Sequence, residues 1–409
     1  MSQPARILLS LIVGLVIGIA SAAASWSDMA VAIAQPIGEA WLAGLKMTII
    51  PLVVSLLVTG VAATAETARS GRVAGRALAM FMVFLVGSAA LAAVLMPALL
   101  ALWPLDPGAA GALRRALTEV KPLGEVPGFA AFMKSIVPSN PIAAAANGEM
   151  LPLIVFTMVF AFAVTRLNPA RRDTLVALFQ ALGDAMLVII GWVLAIAPIG
   201  VSALAFVVGA RAGTAAVGAL VHYIAVYSAV GFVIMLIAYP VALLGGRLSL
   251  GRFARAVAPA QAVAISTQSS LASLPAMLTG AEAAGISVRV AGVVLPLAVA
   301  VFRVTAPAMN LAVTLYIANW YGLTLSPFQI AAGVVAASLT TFNGVGLPGQ
   351  VTFIASIAPI CLAIGVPIEA LGLLIAVETI PDIFRTLGNV TMDVAVTATI
   401  ARSEGASEA

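Results

Sequence analysis

Near the C-terminal end, the segment Glu378-Thr-Ile-Pro-Asp382-Ile-Phe-Arg385-Thr386-Leu-Gly-Asn389-Val-Thr-Met-Asp393 sets three carboxylates, an arginine and an asparagine into an apolar stretch. On a helix turning about 100° per residue, positions 378, 382, 385, 389 and 393 fall within roughly 80° of one another. The other faces carry Ile, Leu, Val, Phe and Met. Ionisable groups at membrane depth are costly unless they pair or line a cavity. A chain built this way must enclose that one face, and the enclosed face marks a polar ligand or an ion pathway.

The membrane reading follows from the surroundings. Hydrophobic residues make up 62% of the chain and charged residues 9%, and mean hydropathy is +1.14. Apolar runs over 7–24, 47–65, 77–103, 187–209 and 216–244 approach or exceed the ~20 residues that cross a bilayer. No formal charge occurs from 304 to 368. The length predicts one all-α polytopic domain of about eight spans in a lipid bilayer. The net charge of +4 does not imply a nucleic-acid partner. The arginines cluster in short linkers, at Arg69/Arg72/Arg76, Arg166/Arg171/Arg172 and Arg247/Arg252/Arg255, as cytoplasmic loops of an inner-membrane protein do. Arg6 and Arg402 assign both termini to that same side.

With one cysteine, Cys361, and one histidine, His222, the chain offers no disulfide framework and no Cys/His metal site. No cofactor is implied. Ser21-Ala-Ala-Ala-Ser25 resembles a signal-peptidase site, but an apolar run of about 18 residues reads as a retained first span. The glycosylation pattern Asn389-Val-Thr391 lies inside the polar helix and is set aside.

Breaks along the chain add a second constraint. The polar insert over 104–137, with its core at 105–127, reads as an external loop. Pro138-Ser-Asn-Pro and Asn147-Gly-Glu-Met-Leu-Pro152 then predict a fragmented span. Ser266-Thr-Gln-Ser269-Ser270-Leu-Ala-Ser273-Leu-Pro275 interrupts the apolar stretch 257–285, and Thr340-Thr341-Phe342-Asn343-Gly344-Val-Gly346-Leu347-Pro348-Gly349-Gln350 interrupts 328–364. Two arms too short to span around a polar tip describe a re-entrant hairpin, which survives in a membrane only when buried or lining a cavity. Paired interruptions of this kind point to a transporter's binding site. Two surface loops joining short helices are the plainer alternative.

Asp382 and Arg385, one turn apart, can form a lock between helices, yet the face holds more polar groups than one lock needs. Its chemistry suits an acidic amino acid. Asp382 would pair with the ammonium, Arg385 would clamp the side-chain carboxylate in a fork, and Asn389 would donate to the main-chain carboxylate. Inward helix N-termini at the hairpin tips would add backbone donors. Arg303, with no other charge over 296–319, either snorkels to an interface or faces Asp393, Glu378 or both.

These residues resemble the dicarboxylate/amino acid:cation symporters, the family of glutamate and aspartate transporters, over nearly the whole chain. The matching stretches are Leu45-Lys-Met-Thr-Ile-Ile-Pro51, Pro138-Ser-Asn-Pro, Asn147-Gly-Glu-Met-Leu-Pro152, Ala197-Pro-Ile-Gly-Val201, the serine-rich stretch ending Ser273-Leu-Pro275, Gly346-Leu-Pro-Gly349 and Asp382-x-x-Arg385-Thr386-x-x-Asn389-x-x-x-Asp393. The resemblance implies eight transmembrane helices, two opposed re-entrant hairpins, inverted repeats and a homotrimer. It also implies an elevator: a scaffold of 1–70 and 128–214, and a transport domain of 71–104 and 215–402 whose final polar helix covers about 371–400. It makes Asp382 the ligand of a substrate amine and Arg385 the side-chain carboxylate clamp. Thr386, Asn389, Ser269, Ser270, Gly346, Leu347 and Pro348 become further substrate contacts, and Asp393 a sodium-ligand carboxylate.

The departures from the family pattern concern the cation. Where the family's seventh helix reads Asn-Met-Asp-Gly-Thr, this chain has Phe302-Arg303-Val304-Thr305-Ala306. Third-helix ligands become Phe84 and Gly87-Ser88, and Asn310 stands where proton-coupled relatives carry a glutamate. Sodium needs several oxygen ligands, so Arg303 is expected to substitute for a bound cation beside Asp393. Transport would then be sodium-independent, either as a uniporter or exchanger or coupled to protons through Glu378 or Asp382. A residual sodium site at Thr341, Phe342 and Gly344 is the alternative. The leading function is a secondary transporter of aspartate or glutamate by alternating access. A transporter of another carboxylate and a non-transporting receptor are the competing functions. An enzyme is disfavoured, since no nucleophile–base pair appears.

Overall fold

A computed structural model describes residues 3–22, 24, 26–69, 71–116, 136–341 and 349–405. Its elements are helices α1 (Gln3–Ser21), α2 (Ser27–Arg69), α3 (Arg72–Leu102), α4 (Pro107–Ala116), α5 (Pro141–Asn147), α6 (Met150–Val164), α7 (Pro169–Ala195), α8 (Ala197–Ala212) and α9 (Ala215–Pro240). There follow α10 (Leu250–Thr267), α11 (Ser270–Ala283), α12 (Val288–Val301), α13 (Thr305–Tyr321), α14 (Pro327–Thr340), α15 (Gly349–Ala363), α16 (Leu371–Leu374) and α17 (Thr379–Ser403).

Six segments among the described residues are long and apolar enough to cross a membrane: Gln3–Ser21, Ser27–Thr67, Arg72–Leu102, Pro169–Ala195, Ala215–Gly245 and Val288–Tyr321. Four shorter apolar helices, Met150–Val164, Ala197–Ala212, Pro327–Thr340 and Phe353–Ala363, accompany them. The expected span over 187–209 is in fact two helices. They part at Ile196, because Pro198 fits the first turn of α8 but cannot continue the hydrogen bonding of α7. The insert expected as a loop contains α4, which packs against α8, α9 and α13.

Small residues let α1 lie on α8 backbone to backbone. A Cβ at Gly18 would come 2.3 Å from the Phe206 carbonyl oxygen, and one at Gly14 2.3 Å from that of Ser202. Helix α2 packs along α8, and α6 and α7 pack against α2.

The second group surrounds α17. Helices α3, α9, α10, α11, α12 and α13 all touch it. Helix α13 is buried on every side, as a helix apolar all round its circumference must be.

Both interrupted stretches form helical hairpins at their described ends. Helices α10 and α11 pack closely, with a Cβ at Gly280 only 2.0 Å from the Ala256 carbonyl oxygen. Gln268 turns the chain in the left-handed region (φ 52°), and the Ser269 hydroxyl caps α11 by accepting from Ala272 N–H. Helices α14 and α15 are tied at their open end, where Gln329 Nε2 donates to the Ile364 carbonyl at 2.9 Å. Residues 342–348, the tip, lie outside the described residues.

At the end of α17, Glu404 pairs with Arg72 (2.7 Å) and Arg76 at the start of α3. The Arg72 hydrogen bond, supported by both guanidinium charges, holds its carboxyl below the ordinary carboxylate range.

Candidate functional site

The final helix starts later than the polar pattern indicated. Residues 371–377 form α16 and a turn of tighter helix, and α17 begins at Thr379. Glu378 therefore sits at the joint, one turn before Asp382, with Pro381 in the first turn of α17.

Arg385 stands at the centre. Its Nη2 donates to Glu378 Oε1 at 2.9 Å and to the Tyr227 hydroxyl, and its Nη1 donates to Asn310 Oδ1 at 3.0 Å. Its Nε lies 3.4 Å from Asp382 Oδ1. Tyr227 in turn donates to Glu378 Oε1 at 3.4 Å. Helices α9, α13 and α17 thus meet on one guanidinium, which is only 14% exposed.

Below it, α17 is held to the break between α12 and α13. Asn389 Oδ1 accepts from Thr305 N–H at 3.0 Å, and the Thr305 hydroxyl lies 2.8 Å from the same oxygen. This approach requires Gly388, where a Cβ would fall 2.4 Å from Thr305 Cγ2. With Oδ1 engaged, the Asn389 amide N–H groups remain to donate. The Thr386 hydroxyl donates to the Asp382 carbonyl at 2.9 Å and keeps its acceptor capacity. The first hairpin is fastened alongside by Gln261 Nε2 to Thr391 Oγ1 (2.9 Å) and Gln268 Nε2 to the Thr379 carbonyl (3.1 Å).

Asp393 is fully buried, and neither carboxylate oxygen has a hydrogen-bond partner among the described residues. Arg303 is the charge that acts on it electrostatically, yet the two form no ion pair. Nor does Arg303 pair with Glu378, which belongs to Arg385. Phe302, next to Arg303, stacks on Phe81 with centroids 4.3 Å apart and meets Phe84 edge-on at 6.3 Å.

Carboxylates and a guanidinium thus share one buried face, with the α12–α13 break and the first hairpin packed against it. The sequence pattern of the sodium:dicarboxylate symporter family matches residues 4–403. The chain belongs to this family. It is a multi-pass membrane protein of a symporter family, not of an enzyme family. It is 28% identical to a proton/glutamate-aspartate symporter of Escherichia coli (strain K12), over 98% of this chain and 92% of that protein. It is also 28% identical to a proton/sodium-glutamate symport protein of Bacillus caldotenax, over 92% and 90%. To a C4-dicarboxylate transport protein of Azorhizobium caulinodans it is 26% identical, over 91% and 83%.

Within this family member, the expected site residues are placed differently from one another. Glu378, Asp382 and Arg385 are in direct contact, and Thr386 and Asn389 follow on the same helix. Ser269 and Ser270 sit half-buried at the start of α11, where the Ser269 hydroxyl is spent on capping. Thr341 is buried with its hydroxyl turned back onto the Ala337 and Ser338 carbonyls. The remaining expected positions, Phe342, Gly344, Gly346, Leu347 and Pro348, lie outside the described residues.

Sequence reasoning did not single out Tyr227, and it weighed Asn310 only as a lost proton carrier. The spacing of Tyr223 and Tyr227, four apart in an apolar helix and stacked at 5.2 Å, was the available signal.

Proposed function

We propose that this symporter transports an acidic amino acid, aspartate or glutamate, by alternating access. The carrying observation is the Asp382–Arg385–Asn389 face of α17, buried where the α12–α13 break meets the first hairpin. Asp382 matches an ammonium, and unspent Asn389 N–H groups match a carboxylate. The names of the Escherichia coli and Bacillus caldotenax relatives support the same substrate class. An aspartate at 382 favours an amine-bearing substrate over a C4-dicarboxylate, since it would repel a second carboxylate placed there.

Coupling differs from sodium binding at the seventh-helix signature. Phe302 and Phe84, at positions where the resemblance puts oxygen ligands, pack with Phe81 as a ring cluster, and aromatic carbon cannot hold a hard cation's first shell. Two guanidiniums, Arg303 and Arg385, face three carboxylates, Glu378, Asp382 and Asp393. The excess negative charge favours an accompanying cation, and protons on these carboxylates can supply it without a sodium cage. Arg303 adds a tethered positive charge that a released ion would otherwise bring. Residues 1–70 and 128–214 would form the fixed scaffold of a trimer, and 71–104 with 215–402 the part that slides.

The test is uptake into proteoliposomes of radiolabelled L-aspartate, L-glutamate and succinate. Saturable uptake of an amino acid, abolished by Arg385→Gln, is the expected result. Failure to move any of the three, in net uptake or in exchange, contradicts the proposal.

A further inference from the structure

The expected carboxylate clamp is already engaged. A guanidinium has five N–H donors. In Arg385, Nε faces Asp382, one Nη1 donor serves Asn310, and Nη2 serves Tyr227 and Glu378. One Nη1 donor remains, and a single N–H cannot make the parallel pair that grips a carboxylate. A substrate seeking that fork must first displace at least one of Glu378, Asp382, Tyr227 and Asn310, and losing either carboxylate would strand a buried charge.

Arg303 is the opposite case. Its carbonyl accepts from Ala306 N–H, but among the described residues its guanidinium makes no hydrogen bond and no ion pair, so its fork is unspent. It is half-buried, open to a ligand yet largely out of bulk water. It lies two residues before Thr305, which is bonded to Asn389 of α17, and its charge acts on Asp382 and Asp393, so it borders the same site. Its backbone is fixed on both sides. Phe302 is packed against Phe81 and Phe84, Val304 is buried, and Thr305 is bonded to Asn389. A fixed backbone holding an unengaged, permanently charged fork is pre-organised for a carboxylate.

We propose that Arg303 is a substrate-binding residue that takes one carboxylate of the substrate in its fork, in addition to any long-range effect on Asp393. The inference rests on the acidic-substrate reading above. It assigns specificity to a residue on the α12–α13 break rather than to α17 alone. Arg385 then serves to hold α9, α13 and α17 together until substrate arrives.

The test is calorimetric titration of wild-type and Arg303→Gln protein with L-aspartate, succinate and the two monoamides of aspartate, L-asparagine and L-isoasparagine. Arg303→Gln should weaken L-aspartate and succinate by at least about tenfold and leave unchanged the monoamide that lacks the carboxylate Arg303 holds. The L-aspartate loss should persist when both proteins also carry Asp393→Asn. An equal loss on all four ligands, no loss on any, or a loss that vanishes with Asp393→Asn would overturn the proposal. Should Arg303→Gln not fold, Arg303→Lys keeps the charge and removes the fork, and the same selective loss is expected of it. If wild-type protein binds none of the four, the acidic-substrate reading fails instead, which is a distinct result.

Discussion

Arg385 shows how a buried charge is kept in an apolar helix bundle. Its partners come from α9, α13 and α17, so no single helix could hold it in place. Removing one partner of a buried ion pair typically costs 3–5 kcal/mol, because the other charge is left uncompensated. Asp382 remains beside Arg385, so Glu378→Ala is expected at the lower end, about 3 kcal/mol, read from unfolding of the detergent-solubilised protein. Glu378→Gln, which keeps an acceptor, should lose about half as much. Saturating L-aspartate should stabilise Glu378→Ala more than wild type, since a ligand carboxylate can take the place vacated on Arg385. Equal ligand stabilisation of both proteins would show that Glu378 and substrate do not compete.

At the scale of elements, the contact between α17 and the α12–α13 break carries the site's geometry. Gly388→Ala puts a Cβ 2.4 Å from Thr305 Cγ2, and over-packing of this kind costs about 1–3 kcal/mol. Thr305→Ser removes Cγ2 and keeps the hydroxyl, so the double variant should regain most of the stability and binding lost by Gly388→Ala alone. Persistence of the defect in the double variant would place the cause elsewhere.

The helical period made the polar face of α17 legible, since five polar residues in an apolar background can share one side only at that repeat. The hairpin around Ser269–Ser270 was legible because its apolar arms, read from 257 to 285, were each too short to span, although α10 itself runs 18 residues from Leu250 to Thr267. The joint at Glu378 was not, because no local breaker marks it before Pro381. Tyr227 and Asn310 were hidden for a different reason: each is one polar group on another helix, and only tertiary packing brings it to Arg385. The helix α4 was obscured by the Pro, Gly and Arg around it, which read as loop.

For the whole molecule, most charge among the described residues lies in linkers, at helix ends and on one interior face, with Glu39, Lys46 and Asp184 inside long helices. Helix α2 and the segment before α16 are joined by Lys46 and Glu369, 2.8 Å apart and about one-third exposed on each side, a weak contact. The interior face has three carboxylates against two arginines, and Phe302, where the resemblance expects an oxygen ligand, stacks on Phe81 and meets Phe84 edge-on. An acidic substrate should therefore bind without sodium. Calorimetry of L-aspartate binding to purified protein, in sodium-free choline buffer and again with sodium, tests this most directly. Equal affinity in the two buffers is the expected result. Affinity that appears only with sodium would contradict the account, because a sodium site would then persist despite Phe302, Arg303 and Val304.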